Sequence, residues 1–205
     1  MKIAVIIPYF QREPGLLRKA ITSVFAQEID NAELWLVVVD DASPAPAVDE
    51  LSSLSDEARA RISLIRQPNA GPGQARNTAL DLVAERGADY IAFLDSDDVW
   101  TPVHLRDAVA ALEAGFDFYF CDHRRFEETE TYASTLAATA QLRRKETPGF
   151  RVIDPVGPVT TVDSDVILAA YLQEYLSQTS TIVLRQTTVQ TLRFDPELRK
   201  AGEDH

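Results

Sequence analysis

The segment Phe93-Leu94-Asp95-Ser96-Asp97-Asp98 places three carboxylates directly behind an apolar run, and a second acidic pair, Asp40-Asp41, ends an earlier one. Asp95 and Asp97 lie two positions apart, so an extended backbone would turn both carboxylates to one side and Asp98 to the other. Two convergent carboxylates are hard oxygen ligands of the kind that suit Mg²⁺ or Mn²⁺. Such ions usually keep coordination positions open for water and phosphate oxygens. A diphosphate would complete the shell. The competing reading is that these residues cap the helix opened by Pro102, but four polar residues exceed what one cap requires.

Asp40-Asp41 is followed by the turn-forming stretch ASPAPA, so an Asx turn or a helix cap accounts for the pair as well as a ligand contact does. An aspartate at a strand end can also accept the imide N–H of a uracil, a donor that cytosine lacks. In GPGQARN (71–77), two glycines precede a helix, and Arg76 and Asn77 supply donors beside a backbone free to approach a ligand. Neither GxxxxGK[ST] nor GxGxxG is present, and a plain loop-to-helix junction fits this segment equally.

The 205 residues carry 20 Lys+Arg against 32 Asp+Glu, a formal charge of −12. Counterion release on nucleic acid needs clustered cations, so nucleic-acid binding is disfavoured. An acidic chain that binds an anion must neutralise it locally, with placed arginines or with a cation held by carboxylates. Cys121 is the single cysteine, which excludes an intrachain disulfide and an all-cysteine metal cage. The N-terminal apolar run stops at Pro8 without the pattern of a signal peptide, and no stretch reaches the roughly 20 apolar residues of a membrane span. The expected location is the cytoplasm, compatible with peripheral membrane association.

The elements that must position these residues alternate. IAVIIP (3–8), LWLVVVDD (34–41), ISLIRQP (62–68) and Tyr90–Leu94 read as strands, the first two buried on both faces. Helices are expected from Pro14 to Gln27, Pro46 to Ala60, after Gly73 to about Gly87, and from Pro102 to Gly115. FDFYFCDH (116–123) reads as a further strand, 127–158 as a mobile polar excursion, 162–176 as a helix, and TSTIVLR (179–185) as a strand before a charged tail. Alternating strands and helices predict an α/β fold with a mostly parallel sheet flanked by helices. The polar clusters then fall at the strands' carboxyl ends, where open α/β sheets bind ligands.

In their order, VIIPYFQ, VVVDDAS, GPGQARN, FLDSDD and the late GEDH resemble the inverting glycosyltransferases of the GT-A fold, the large family-two class that uses nucleoside-diphosphate sugars. The resemblance covers nearly the whole chain. It implies a Rossmann-like nucleotide-binding fold in which residues 1–126 form the nucleotide-sugar-binding half. Residues 127–205 would begin the acceptor and catalytic-base region, which in related enzymes continues past the position of His205.

By position, the resemblance makes Pro8 the start of the binding turn, sets Phe10 against a uracil, puts Asp41 in contact with that base, and has Arg76 hold the nucleotide. Asp40, Asn77 and Ser96 join the donor site as further candidates. Asp95 would contact ribose or metal, Asp97 would bind Mn²⁺ or Mg²⁺, and Asp98 would support them. The family's usual Tyr-Asn is Phe10-Gln11 here, which keeps stacking and loses a phenol hydrogen bond.

The family's late Glu-Asp pair matches Glu203-Asp204 and makes Asp204 the candidate base, against the plainer reading of a solvated terminal charge run. The implied reaction moves a sugar, with inversion, from a UDP-sugar to a hydroxyl of a glycan or other acceptor. The alternative is a catalytically silent nucleotide-sugar-binding domain. A nucleotidyltransferase is disfavoured because no glycine- and arginine-rich loop follows the first strand, and a protein-interaction module would leave the carboxylates without a task.

Overall fold

Successive residues of a strand face opposite sides of a sheet, so an apolar run without polar interruption requires cover on both faces. The computed structural model, which describes residues 1–136, 140, 142, 144–152, 160–173, 176–190 and 193–197, has this arrangement. Strand β1 (Lys2–Tyr9) is followed by helix α1 (Leu16–Phe25), β2 (Glu33–Asp40), α2 (Ala47–Leu51), α3 (Asp56–Ala60), β3 (Ile62–Arg66), α4 (Pro72–Arg86), β4 (Tyr90–Phe93) and α5 (His104–Glu113). After β5 (Phe118–Tyr119) come a 3₁₀ turn (Tyr132–Thr135), a small hairpin of β6 (Arg151–Val152) and β7 (Thr160–Thr161), and α6 (Ser164–Gln173). A second 3₁₀ turn (Thr179–Thr181) leads into β8 (Val183–Arg185) and the short α7 (Gln186–Val189).

The main sheet has six strands in the order β3-β2-β1-β4-β8-β5. Strands β3, β2, β1 and β4 are parallel, and β8 runs antiparallel to both β4 and β5. Alternate residues of β1 serve the two cores. Ile3, Val5 and Ile7 pack with Leu17, Ile21 and Val24 of α1 and with Leu105 and Leu112 of α5. Ala4 and Ile6 pack with Ala75, Ala79 and Val83 of α4 and with Leu184 and Val189. The α/β expectation holds.

Three elements differ from the sequence reading. The helix expected over Pro46–Ala60 is two short helices, because the Ser52 and Ser53 hydroxyls donate back to the Asp49 and Glu50 carbonyls while Ser55 caps α3 by accepting the Ala58 amide. The strand expected over 116–123 is only Phe118–Tyr119, paired with Leu184 and Val183 of the three-residue β8. The tail begins with the helical turn Gln186–Val189 rather than with a loop.

Chain order reverses across β1, which has β2 on one side and β4 on the other. The carboxyl ends of β1 and β4 therefore border a switch point, the place where loops diverge and leave a crevice. Tyr9, the last residue of β1, is fully buried and donates its hydroxyl to Glu50 Oε1 at 2.9 Å, while Glu50 Oε2 accepts the Arg18 amide at 3.2 Å. One carboxylate thus ties α2 to β1 and α1. Tyr9→Phe removes a hydrogen bond to a buried charged group and should lower stability by about 1–3 kcal/mol in urea denaturation. Wild-type stability would show that Glu50 finds another donor.

Candidate active site

At the end of β1 the chain is held by its neighbours on both sides. The Gln11 amide donates to Ser43 Oγ at 2.6 Å, the Ser43 hydroxyl returns a bond to the Gln11 carbonyl at 2.7 Å, and Gln11 Nε2 donates to Ser96 Oγ at 3.1 Å. Gln11 therefore joins the loops after β1, β2 and β4 across the switch point. Pro8 lies within β1, and Phe10 projects from the edge, 45% exposed and free to stack on a planar ligand.

The acidic pair after β2 divides its work. Asp40 Oδ1 accepts the Ser43 amide at 2.7 Å and Oδ2 accepts the Ala47 amide at 3.0 Å, so its carboxylate folds its own loop and caps α2. Of the two readings of Asp40, ligand contact or cap, the geometry is that of the cap. Asp41 instead reaches the next loop, its Oδ1 accepting from Gln67 Nε2 at 2.7 Å and the Ala70 amide at 2.9 Å, and its Oδ2 from the Gly71 amide at 2.8 Å. Gly71 adopts φ +89°, a conformation that suits glycine and turns its N–H onto Asp41. A carboxylate offers about four acceptor positions, and donors among the described residues fill three of them.

Helix α4 opens from this loop and carries Arg76 and Asn77, both buried. Arg76 Nη2 lies 2.5 Å from Asp95 Oδ1, its guanidinium lies over the Phe194 ring, and its buried Nε has no hydrogen-bond partner among the described residues. Asn77 makes two bonds to the Phe194 backbone, donating from Nδ2 at 2.8 Å and accepting at Oδ1 from the amide at 2.9 Å. Expected as a donor for a nucleotide, Asn77 is occupied in fastening residues 194–195 to α4. Gly73 allows that approach, since a Cβ there would stand 3.1 Å from the Asp195 carbonyl.

The acidic segment is a turn, closed by the Asp98 amide donating to the Asp95 carbonyl at 3.1 Å. This corrects the extended reading: Ser96 and Asp97 are the central residues of the turn, and Asp98 is not isolated from the other carboxylates. Desolvation, followed by repulsion from Asp95, holds the Asp97 carboxyl above its ordinary range. Desolvation likewise raises Asp98, which also feels Asp95 and Asp97 and is partly relieved by a hydrogen bond from Ser180.

Asp97 and Asp98, raised chiefly by desolvation and further by neighbouring negative charge, are hard oxygen donors that a divalent cation would fit, while Asp95 is shared with Arg76. Among the described residues no cage of three His, Cys, Asp or Glu side chains forms, so such an ion would need ligand oxygens to complete its shell. Asp204 lies outside the described residues.

Two positioning residues carry no motif of their own and were missed in the sequence. Gln67 bridges Asp41 to α4 by accepting the Thr78 hydroxyl at 2.7 Å. Ser180 accepts the Asp95 amide at 2.9 Å, and its carbonyl accepts Trp100 Nε1 at 2.6 Å. Both depend on long-range contacts between segments that the sequence does not pair.

The profile of Glycosyl transferase family 2 matches residues 4–178. The chain belongs to this family. The succinoglycan biosynthesis protein ExoW of Rhizobium meliloti (strain 1021) is 38% identical over 211 residues, an alignment covering 99% of this chain and 61% of ExoW.

The crystal structure of S. aureus TarS 1–349 in complex with UDP superposes with a TM-score of 0.65 at 20% identity, covering 98% of this chain and 52% of that one. The complex of the same protein with UDP-GlcNAc gives 0.62 at 22% identity, covering 92% and 46%. This family 2 chain thus shares the GT-A fold of TarS, and it spans less than two thirds of the length of these relatives. Among its described residues no helix is long and apolar enough to cross a membrane.

The raised carboxyls of the turn predict a pH signature. Asp97 and Asp98 hold their protons more tightly in the folded chain than in the unfolded one, so ionising them costs stability. That cost is absent below the ordinary value of 3.8, accumulates between it and the raised values, and is complete above them. The Asp97→Asn/Asp98→Asn variant should therefore melt above wild type at pH 7, with the gap closing toward pH 3.8 in calorimetric scans. A gap independent of pH would contradict the assignment.

Proposed function

We propose that the protein is an inverting, metal-dependent glycosyltransferase that takes a sugar from a UDP-sugar and delivers it to a hydroxyl of a glycan or other acceptor. The observation that carries this reading is the acidic turn Asp95–Asp98, set beside the buried Arg76 at the switch point of a family 2 fold. Phe10 supplies an exposed ring for the base, and Asp41 keeps an acceptor position for the N–H that uracil presents. The solved complexes of TarS with UDP and UDP-GlcNAc support the donor class.

In this reading Asp95 and Asp97, with Asp98 in support, hold a Mn²⁺ or Mg²⁺ ion. The ion would supply neutralisation of the donor diphosphate. Arg76 turns its unpartnered Nε–H and its charge toward the same anion, in a partly dry crevice where a fixed cation acts more strongly than in water.

Asp204, assigned from the GEDH motif, takes the proton of the acceptor hydroxyl. The acceptor oxygen forms its bond to the anomeric carbon as the bond from that carbon to the diphosphate breaks, and the electron pair leaves with UDP. Attack opposite the leaving group inverts the configuration. A carboxylate is a modest base near neutral pH, so alignment of donor and acceptor supplies much of the acceleration.

The test separates binding from turnover. Asp204→Asn should bind UDP as wild type does while UDP release in the presence of acceptor falls about 10²–10⁴-fold. Asp97→Ala should instead lose the Mn²⁺-dependent part of UDP affinity. Wild-type turnover by Asp204→Asn would remove it from the mechanism, and unchanged Mn²⁺-dependent affinity in Asp97→Ala would remove the acidic turn from the donor site.

A further inference from the structure

Ser180 is a neutral residue in the 3₁₀ turn Thr179–Thr181, far from the acidic turn in sequence and only 5% exposed. Yet it meets the acidic stretch at two points. Its Oγ accepts the Asp95 amide at 2.9 Å, and its carbonyl accepts the Trp100 indole N–H at 2.6 Å. Trp100 is itself fixed, its amide donating to Ser23 Oγ at 3.1 Å and its ring lying 4.5 Å from that of the buried His104. Ser180 thus ties the start of the turn and the indole just past its end to one segment, beside the holds that Gln11 and Arg76 have on Ser96 and Asp95.

We propose that Ser180 is the positioning residue of the donor site: by accepting the backbone amide of Asp95 where the Asp95–Asp98 turn begins, it fixes the direction in which the turn presents its carboxylates to a cation and diphosphate. The inference rests on the reading of this turn as the donor's metal and diphosphate site. Arg76 holds the Asp95 side chain from one side, and Ser180 holds the Asp95 backbone from the other. Without the hydroxyl, the Asp95 amide loses its acceptor. Such a turn can re-aim without unfolding, because its closing bond from the Asp98 amide to the Asp95 carbonyl stays in place. Ligand geometry at a hard cation tolerates little misplacement.

The neighbouring Thr181 is equally buried, but its hydroxyl donates only within its own turn, to the Gln178 carbonyl at 2.7 Å, and so serves as the control. UDP is titrated into wild type, Ser180→Ala, Thr181→Ala and Asp97→Ala, each with Mn²⁺ and with EDTA, beside thermal melts. Ser180→Ala should lose about tenfold in UDP affinity with Mn²⁺, the scale of one hydrogen bond, and keep wild-type affinity in EDTA. Thr181→Ala should match wild type in both.

Wild-type affinity of Ser180→Ala with Mn²⁺ would overturn the proposal. So would an equal loss in EDTA, or a matching loss in Thr181→Ala, since either marks general damage to the segment. If Asp97→Ala retains the Mn²⁺-dependent affinity, or if wild type has none, the underlying reading of the turn fails first and the role of Ser180 with it.

Discussion

The ion pair between Arg76 and Asp95 is the interaction on which the site's arrangement depends. In a chain of net charge −12 it buries a guanidinium at 2.5 Å from a carboxylate, joining the first turns of α4 to the loop after β4. Removing the carboxylate would leave a buried cation uncompensated, a far larger loss than that of a surface pair. The pair also divides the acidic turn. Asp95 has a protein partner, while Asp97 and Asp98 face each other's charge without an arginine or lysine among the described contacts.

The other bonds of the edge follow from that anchor. The loop before α4 must hold its shape for Arg76 to reach Asp95, and Asp41 holds it, gathering Gln67, Ala70 and Gly71 onto one carboxylate. Asp40 in turn fixes the loop that carries Asp41's neighbours, and Gln11 links it to Ser96 through Ser43. The result is a strand edge ordered by bonds between backbone and carboxylate, with Phe10 exposed and, among the described residues, the Arg76 Nε–H without a partner. A polar atom left unpaired in a buried position usually marks a place where a ligand or water completes the set.

Much of this was legible in the sequence because burial writes a strong pattern. Uninterrupted apolar runs such as IAVIIP and LWLVVV can persist only between two layers, and each ends at the polar residues that form the edge. What resisted reading depended on partners distant in the chain. The geometry of a cap and the geometry of a ligand contact call for the same residue type, so Asp40 and Asp41 could not be told apart before their donors were known. Asn77 looked available until the Phe194 backbone was seen against it. The spacing of Asp95 and Asp97 suggested a shared strand face, whereas β4 ends at Phe93 and the chain turns at once. Ser180 has no motif because its importance comes from where the sheet order brings it.

The central claim is that this edge is a site for a uridine diphosphate held through a cation. It is tested most directly by calorimetric titration of UDP, CDP and GDP in Mn²⁺. The account predicts that UDP binds most tightly, because uracil offers Asp41 an imide N–H that cytosine lacks and that guanine replaces with the different donor pattern of a two-ring base. Equal affinities for the three nucleotides would contradict it.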